Sequence, residues 1–168
     1  MKVKEFVDGF TKATDKEKYV KKHIVRTYVN YAQKISECKK IALVSMYQKD
    51  NKGVSKFYID TPMRYMLFIV TIIRDYTDIE FDDKNVPEGF DLLNESGADS
   101  CVISFIKDDF DMFKSVLDMV VNDIIDRERN LIDYIDGKLS AFSTLIDSLN
   151  LEEVLKNAEY QSDGDTTT

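Results

Sequence analysis

The sequence predicts an all-α or nearly all-α fold: a single-domain helical bundle around a central apolar helix, with long C-terminal helices and little or no sheet. Three observations carry this prediction. Two Pro and six Gly punctuate 168 residues, too few for a sandwich or barrel that must turn every ~10 residues. Apolar residues recur at helical spacing along most of the chain. The stretch Tyr65–Ile73 contains one Thr and no charge, in a chain that is 32% charged. A helix apolar on every side belongs in an interior.

The elements follow in chain order. In "VKEFVDGF", Val3, Phe6, Val7 and Phe10 fall at helical spacing, with Gly9 as a weak point. Thr14 stands three residues before Glu17, a capping-box pattern that predicts a second short helix. The run from Ile24 to Val29 crowds β-branched and aromatic residues and reads as an extended connector. From Tyr31 to about Tyr47 an amphipathic helix is expected. Tyr31, Ile35, Cys38 and Ala42 form its stripe, and Lys34, Glu37, Lys39 and Lys40 are placed outside. "QKDNKG" then breaks the pattern, and "VSKFYID" reads as a short extended segment.

Thr61 and Pro62 predict the start of the greasy helix, Thr as N-cap and Pro at the first helical position. Nine helical residues rise only ~14 Å, against ~30 Å of bilayer hydrocarbon, and Arg64 and Arg74 close both ends. A buried central helix is therefore expected rather than a membrane span. An acidic connection, "TDIEFDDKNVPEGF", leads to a short helix "GFDLLNESG" stopped by Gly97. "DSCVISFI" offers Cys101, Val102, Phe105 and Ile106 as a further buried turn or two.

From Asp108 to Asn150 there is one Gly and no Pro. Phe110, Phe113, Leu117, Val120 and Ile124 make one stripe. Leu131, Ile135, Leu139, Phe142, Ile146 and Leu149 make another. "DRERN" interrupts them, so two long helices or one helix bent there are expected. Asp108, Asp109 and Asp111 suit a helix start, and a last short helix is expected from Asn150 to Leu155. The resulting organisation is one helical domain over 1–156, with a possible hinge near 126–130, and a disordered tail over 157–168.

Charge is divided along the chain. Residues 1–76 hold 16 Lys and Arg against 8 Asp and Glu, and residues 77–168 hold 7 against 23. Internal compensation between the halves is the plain expectation, and contacts between copies are the alternative. "MKVKEFVDGF" lacks the unbroken apolar stretch of a secretory signal. Cys38 and Cys101 have no short-spaced partner and read as small hydrophobes in a reducing compartment.

Residue supply argues against a catalytic, metal or cofactor site, and none is assigned. His23 is the only histidine, two cysteines cannot build a Cys₄ site, and the glycines stand singly. The carboxylate clusters "DIEFDD" and "DDFD" lack the spacing of a Ca²⁺ loop and read as a connector and a helix start. Lys and Tyr interleave between Lys12 and Lys40, a combination able to neutralise phosphate and stack bases. The acidic whole and the scarcity of Arg weigh against nucleic acid.

Three segments, "KKHIVRTYVNYAQKISECKKI", "TPMRYMLFIVTIIRDYTDIEF" and "LDMVVNDIIDRERNLIDYIDGKLSAFSTLIDSLN", resemble in order and spacing small helical proteins from the structural gene block of tailed bacteriophages. The resemblance covers most of residues 15–150 and rests on apolar positions and a "TP-x-RY…YTD" signature. It implies a non-enzymatic virion or virion-assembly protein: a head–tail connector component, a tail-assembly factor or a minor structural protein. Its partners would be other phage structural proteins or copies of itself, in the host cytoplasm or the virion, with no membrane and no small-molecule substrate. An acidic inhibitor of a host protein is the alternative, followed by a nucleic-acid binder using the basic half. The expected partner-binding residues are Leu139, Phe142, Leu145, Ile146 and Leu149. Truncation after Asn130 is expected to abolish assembly and leave a soluble N-terminal part.

Overall fold

The computed structural model describes residues 1–148; the expected helix from Asn150 and the tail over 157–168 lie outside them. The chain divides into two units, Met1–Asp123 and a second that begins at Ile124. Among the described residues there are seven helices and one two-stranded hairpin. The fold is thus nearly all-α, as the scarcity of turn residues implied.

In the first unit, α1 (Val3–Lys12) buries Val3, Phe6, Val7 and Phe10, the four positions its spacing marked. Gly9 has a packing reason. The Tyr19 ring occupies the place of a side chain there, its Cζ 2.7 Å from where a Cβ would stand. Helix α2 (Lys16–Lys21) is capped by Asp15, whose carboxylate accepts the Lys18 amide at 2.9 Å. The expected cap at Thr14 is thus one residue early. Residues 22–30 form the connector, tied to the chain after Tyr76 by Val25 N–H to Tyr76 O at 2.9 Å and Asp78 N–H to His23 O at 3.1 Å.

Helix α3 (Tyr31–Met46) begins at Asn30, whose side chain accepts the Gln33 amide at 2.9 Å. Its buried positions are Lys34, Cys38, Ile41, Ala42, Ser45 and Met46. This corrects two expectations. Tyr31 is exposed, and Lys34 lies inside rather than outside. Position 34 falls on the same face as 38, 41 and 45, so helix geometry carries the lysine inward whatever its charge. Strands β1 (Tyr47–Lys49) and β2 (Ser55–Phe57) then pair antiparallel through a turn at Gly53, φ 77°, a left-handed conformation that glycine adopts without a Cβ clash.

Helix α4 (Thr61–Tyr76) is the predicted greasy helix. Asp60 caps it by accepting the Met63 amide at 2.9 Å, so Thr61 is the first helical residue and not the cap. Its first turn is exposed, and Phe68, Ile69, Val70, Ile72, Ile73 and Tyr76 are buried. It packs against α3, α5 (Val86–Ser96) and α6 (Ala98–Phe105), the central place its composition required. Helix α5 opens at Val86, before the expected start, because Pro87 fits its first turn. Gly97, at φ 71°, ends α5 and opens α6.

Helix α7 spans Lys107–Ser148, and residues 126–130 lie within it. Within the first unit it contributes buried Phe113, Val116, Leu117 and Val121. The Phe68 ring meets Phe110 at 5.4 Å and Phe113 at 5.8 Å between centroids. Aromatic pairs at that range add stabilisation beyond their buried area. In the second unit every residue from Arg129 to Thr144 is exposed. Among the described helices, none is long and apolar enough to cross a membrane.

Candidate functional site

Two features stand out from the packing: a buried ionic centre in the first unit and an exposed apolar face in the second. The centre is assembled from four sequence-distant places. Lys34 comes from the first turn of α3, Tyr76 from the last turn of α4, Asp109 from the first turn of α7, and Val29 from the connector. Lys34 is 0% exposed and Asp109 8%. The Lys34 ammonium donates to Asp109 Oδ1, and the Tyr76 hydroxyl donates to Asp109 Oδ2. The Val29 amide donates to the same Oδ2 at 2.9 Å. Lys34 Nζ also stands 3.6 Å from Met112 Sδ and 4.7 Å from the centroid of the Tyr28 ring.

The electrostatics follow from these contacts. Burial alone would raise the Asp109 carboxyl. The hydrogen bonds from Lys34, Tyr76 and Val29, with the lysine charge, override it and hold the group below its ordinary range. Tyr76 moves the other way: burial pushes its hydroxyl up, and donation to the Asp109 carboxylate and that carboxylate's charge add to the rise. A cleft lined by Thr27, Tyr28, Ser104 and Met112 reaches Asp109. Both carboxylate oxygens are already engaged by protein donors, so the arrangement works as a fastening of connector, α3, α4 and α7. Sequence reading placed Asp109 with Asp108 and Asp111 as a helix start. Asp108 and Asp111 are exposed, but Asp109 points inward.

Several other polar residues take part in tertiary contacts. His23 Nδ1 lies 3.0 Å from Asp78 Oδ1, and its ring meets the Phe6 ring edge-on at 5.3 Å. Lys2 pairs with Glu80 at 3.2 Å and Arg74 with Asp83 at 2.7 Å. With Lys34 and Asp109, these bridges link the basic first half to the acidic second half, in the manner of internal compensation. Cys38 is buried beside the Phe113 carbonyl at 3.8 Å; burial, then the Glu37 and Asp118 charges, push its thiol up to about 12. Cys101 is half-buried and unbridged. Among the described residues no group of three or more His, Cys, Asp or Glu could hold a metal ion.

The exposed face is the larger departure from ordinary packing. Leu131, Ile132, Tyr134, Ile135, Leu139 and Phe142 are 47–64% exposed, six large apolar side chains within twelve residues. Of the residues expected to bind a partner, Leu139 and Phe142 lie on this face. Leu145 and Ile146 continue α7, but their side chains, like Leu149, fall outside the described structure. Sequence reading missed Ile132. Counting from it, Ile132, Ile135, Leu139, Phe142, Ile146 and Leu149 alternate spacings of three and four, the seam of a heptad repeat. Choosing Leu131 as the start of the stripe hid that pattern. No protein-family model, no curated protein and no solved structure matches this chain.

Proposed function

We propose that this chain acts without chemistry of its own, as a component of a larger protein assembly that it joins through the apolar face of α7 beyond Ile124. The observation that carries the reading is the run of half-exposed Leu, Ile, Tyr and Phe between Leu131 and Phe142. A solvent-facing helix ordinarily keeps such residues to one stripe turned toward a core. Contiguous apolar surface on this scale marks an interaction site. The kind of assembly is proposed from the sequence resemblance: a virion or virion-assembly intermediate of a tailed bacteriophage, with a connector, tail-assembly or minor structural role. The buried Lys34–Asp109 centre supports this division of labour, since it stiffens the first unit as a mount and leaves recognition to α7.

The test is sedimentation of the tagged full chain from the cell that produces it. The wild-type chain is expected to travel with high-mass particles, and the variant carrying Leu139→Asp and Phe142→Asp to remain at the top of the gradient. A wild-type chain that never enters particles, or a variant that enters them equally well, overturns the reading.

A further inference from the structure

Resting on that reading, we propose that the partner seated on the face is a second copy of this chain, paired antiparallel through residues 124–143. The seam positions in this span are Ile125, Glu128, Ile132, Ile135, Leu139 and Phe142. Centring the pair between Asp133 and Tyr134 sets Ile132 against Ile135 of the second copy, and Ile125 against Phe142. Glu128 falls against Leu139, away from the centre. The overlap is about 30 Å long at 1.5 Å per residue.

Charge selects this register. Beside the seam, Arg129 of each copy lies opposite Asp136 of the other, giving two opposite-sign pairs where flanking charges set orientation. Sliding the antiparallel pair by one heptad, to a centre at Gly137, brings Asp136 against Asp136 and Lys138 against Lys138. A parallel pair offers no opposite-sign flanking contact and stacks Glu128 on Glu128. Both alternatives carry like-charge contacts that the first register lacks.

Area is sufficient. Ile132, Ile135, Leu139 and Phe142, with Leu131 at the edge, are each about half exposed or more. At roughly 100 Å² apiece they give a symmetric pair about 1,000 Å² of apolar surface to cover, the lower bound for a specific interface. The arrangement is isologous and closes on itself, so this contact produces a dimer and not a filament, and the dimer is the unit that enters the larger assembly.

Light scattering on the purified full chain at micromolar concentration tests the proposal. The wild-type chain is expected to be a dimer, and Ile135→Asp a monomer. Arg129→Asp alone and Asp136→Arg alone should each weaken the dimer about tenfold, and the two together should restore it. That rescue separates pairing from misfolding, because a misfolded chain is not repaired by a second charge change. A monomeric wild type overturns self-pairing, as does a double variant no stronger than either single. A monomer that still sediments with particles removes this inference and leaves the proposed function standing. A dimer that stays out of particles does the reverse.

Discussion

Helix α7 carries two apolar stretches of similar composition with opposite fates. Before Asp123, Phe113, Val116 and Leu117 are buried, Phe113 beneath the Phe68 ring of α4. After Ile124, Ile135, Leu139 and Phe142 are again large apolar residues at helical spacing, and they face solvent. The first stretch has a partner supplied by its own chain. Periodicity therefore reports that a helix face is to be covered, and says nothing about what covers it. Covering a large aliphatic or aromatic side chain contributes about 1.5–3 kcal/mol, so the first stretch contributes to folding. The second, left exposed, makes no such contribution among the described residues.

The sharpest way to break this contrast is at the buried ionic centre that anchors the start of α7. Asp109→Ala leaves Lys34 charged in the interior, with the Val29 amide and Tyr76 hydroxyl unpaired. The expected loss is about 3–5 kcal/mol, read by urea unfolding at neutral pH; a loss under ~1 kcal/mol would show the centre to be dispensable. The effect depends on pH with a definite sign. The folded carboxyl sits below its unfolded value of ~3.9, so its stabilisation is full above that pH and is lost as pH falls through the folded value. Wild-type and variant stabilities should converge in acid.

A paired truncation sharpens the comparison itself. Phe113→Ala should cost at least about 3 kcal/mol, through lost burial and a cavity beneath Phe68. Phe142→Ala should change unfolding of dilute protein by no more than ~0.5 kcal/mol, since its side chain is largely exposed among the described residues. Equal effects at the two sites would mean that both stretches serve one core. The smallest effect is expected at the entrance to α4. There Asp60→Ala removes the acceptor for the Met63 amide and should lower stability by about 1 kcal/mol in the same assay.

Much of the architecture was legible because it is local. The spacing of Val3, Phe6, Val7 and Phe10, and the unbroken apolar run of α4, each specify a helix and its buried face within a few turns. The caps were misplaced by one residue for a local reason too. Thr14 and Asp15, and again Asp60 and Thr61, set two competent acceptors side by side, and the backbone turn decides between them. The ionic centre was not legible because Lys34 and Asp109 are 75 residues apart. One signal was available: Lys34 shares a helical face with Cys38, Ile41 and Ser45. A charge on such a face requires a counter-charge from elsewhere in the chain. The outward stripe was visible as a pattern, and its seam at Ile132 became clear only once its exposure was known.

The reach of Asp109 has a consequence for the order in which this protein can be made. Synthesis delivers Lys34 and the Val29 connector long before residue 109, so the emerging N-terminal portion carries an ammonium destined for the interior with no anion to quench it. Closure of the centre waits for the opening turn of α7, and a chain ending before Asp109 keeps that ammonium without its counter-charge. Asp109 is the residue whose arrival lets the connector, α3 and α4 be fastened to one another.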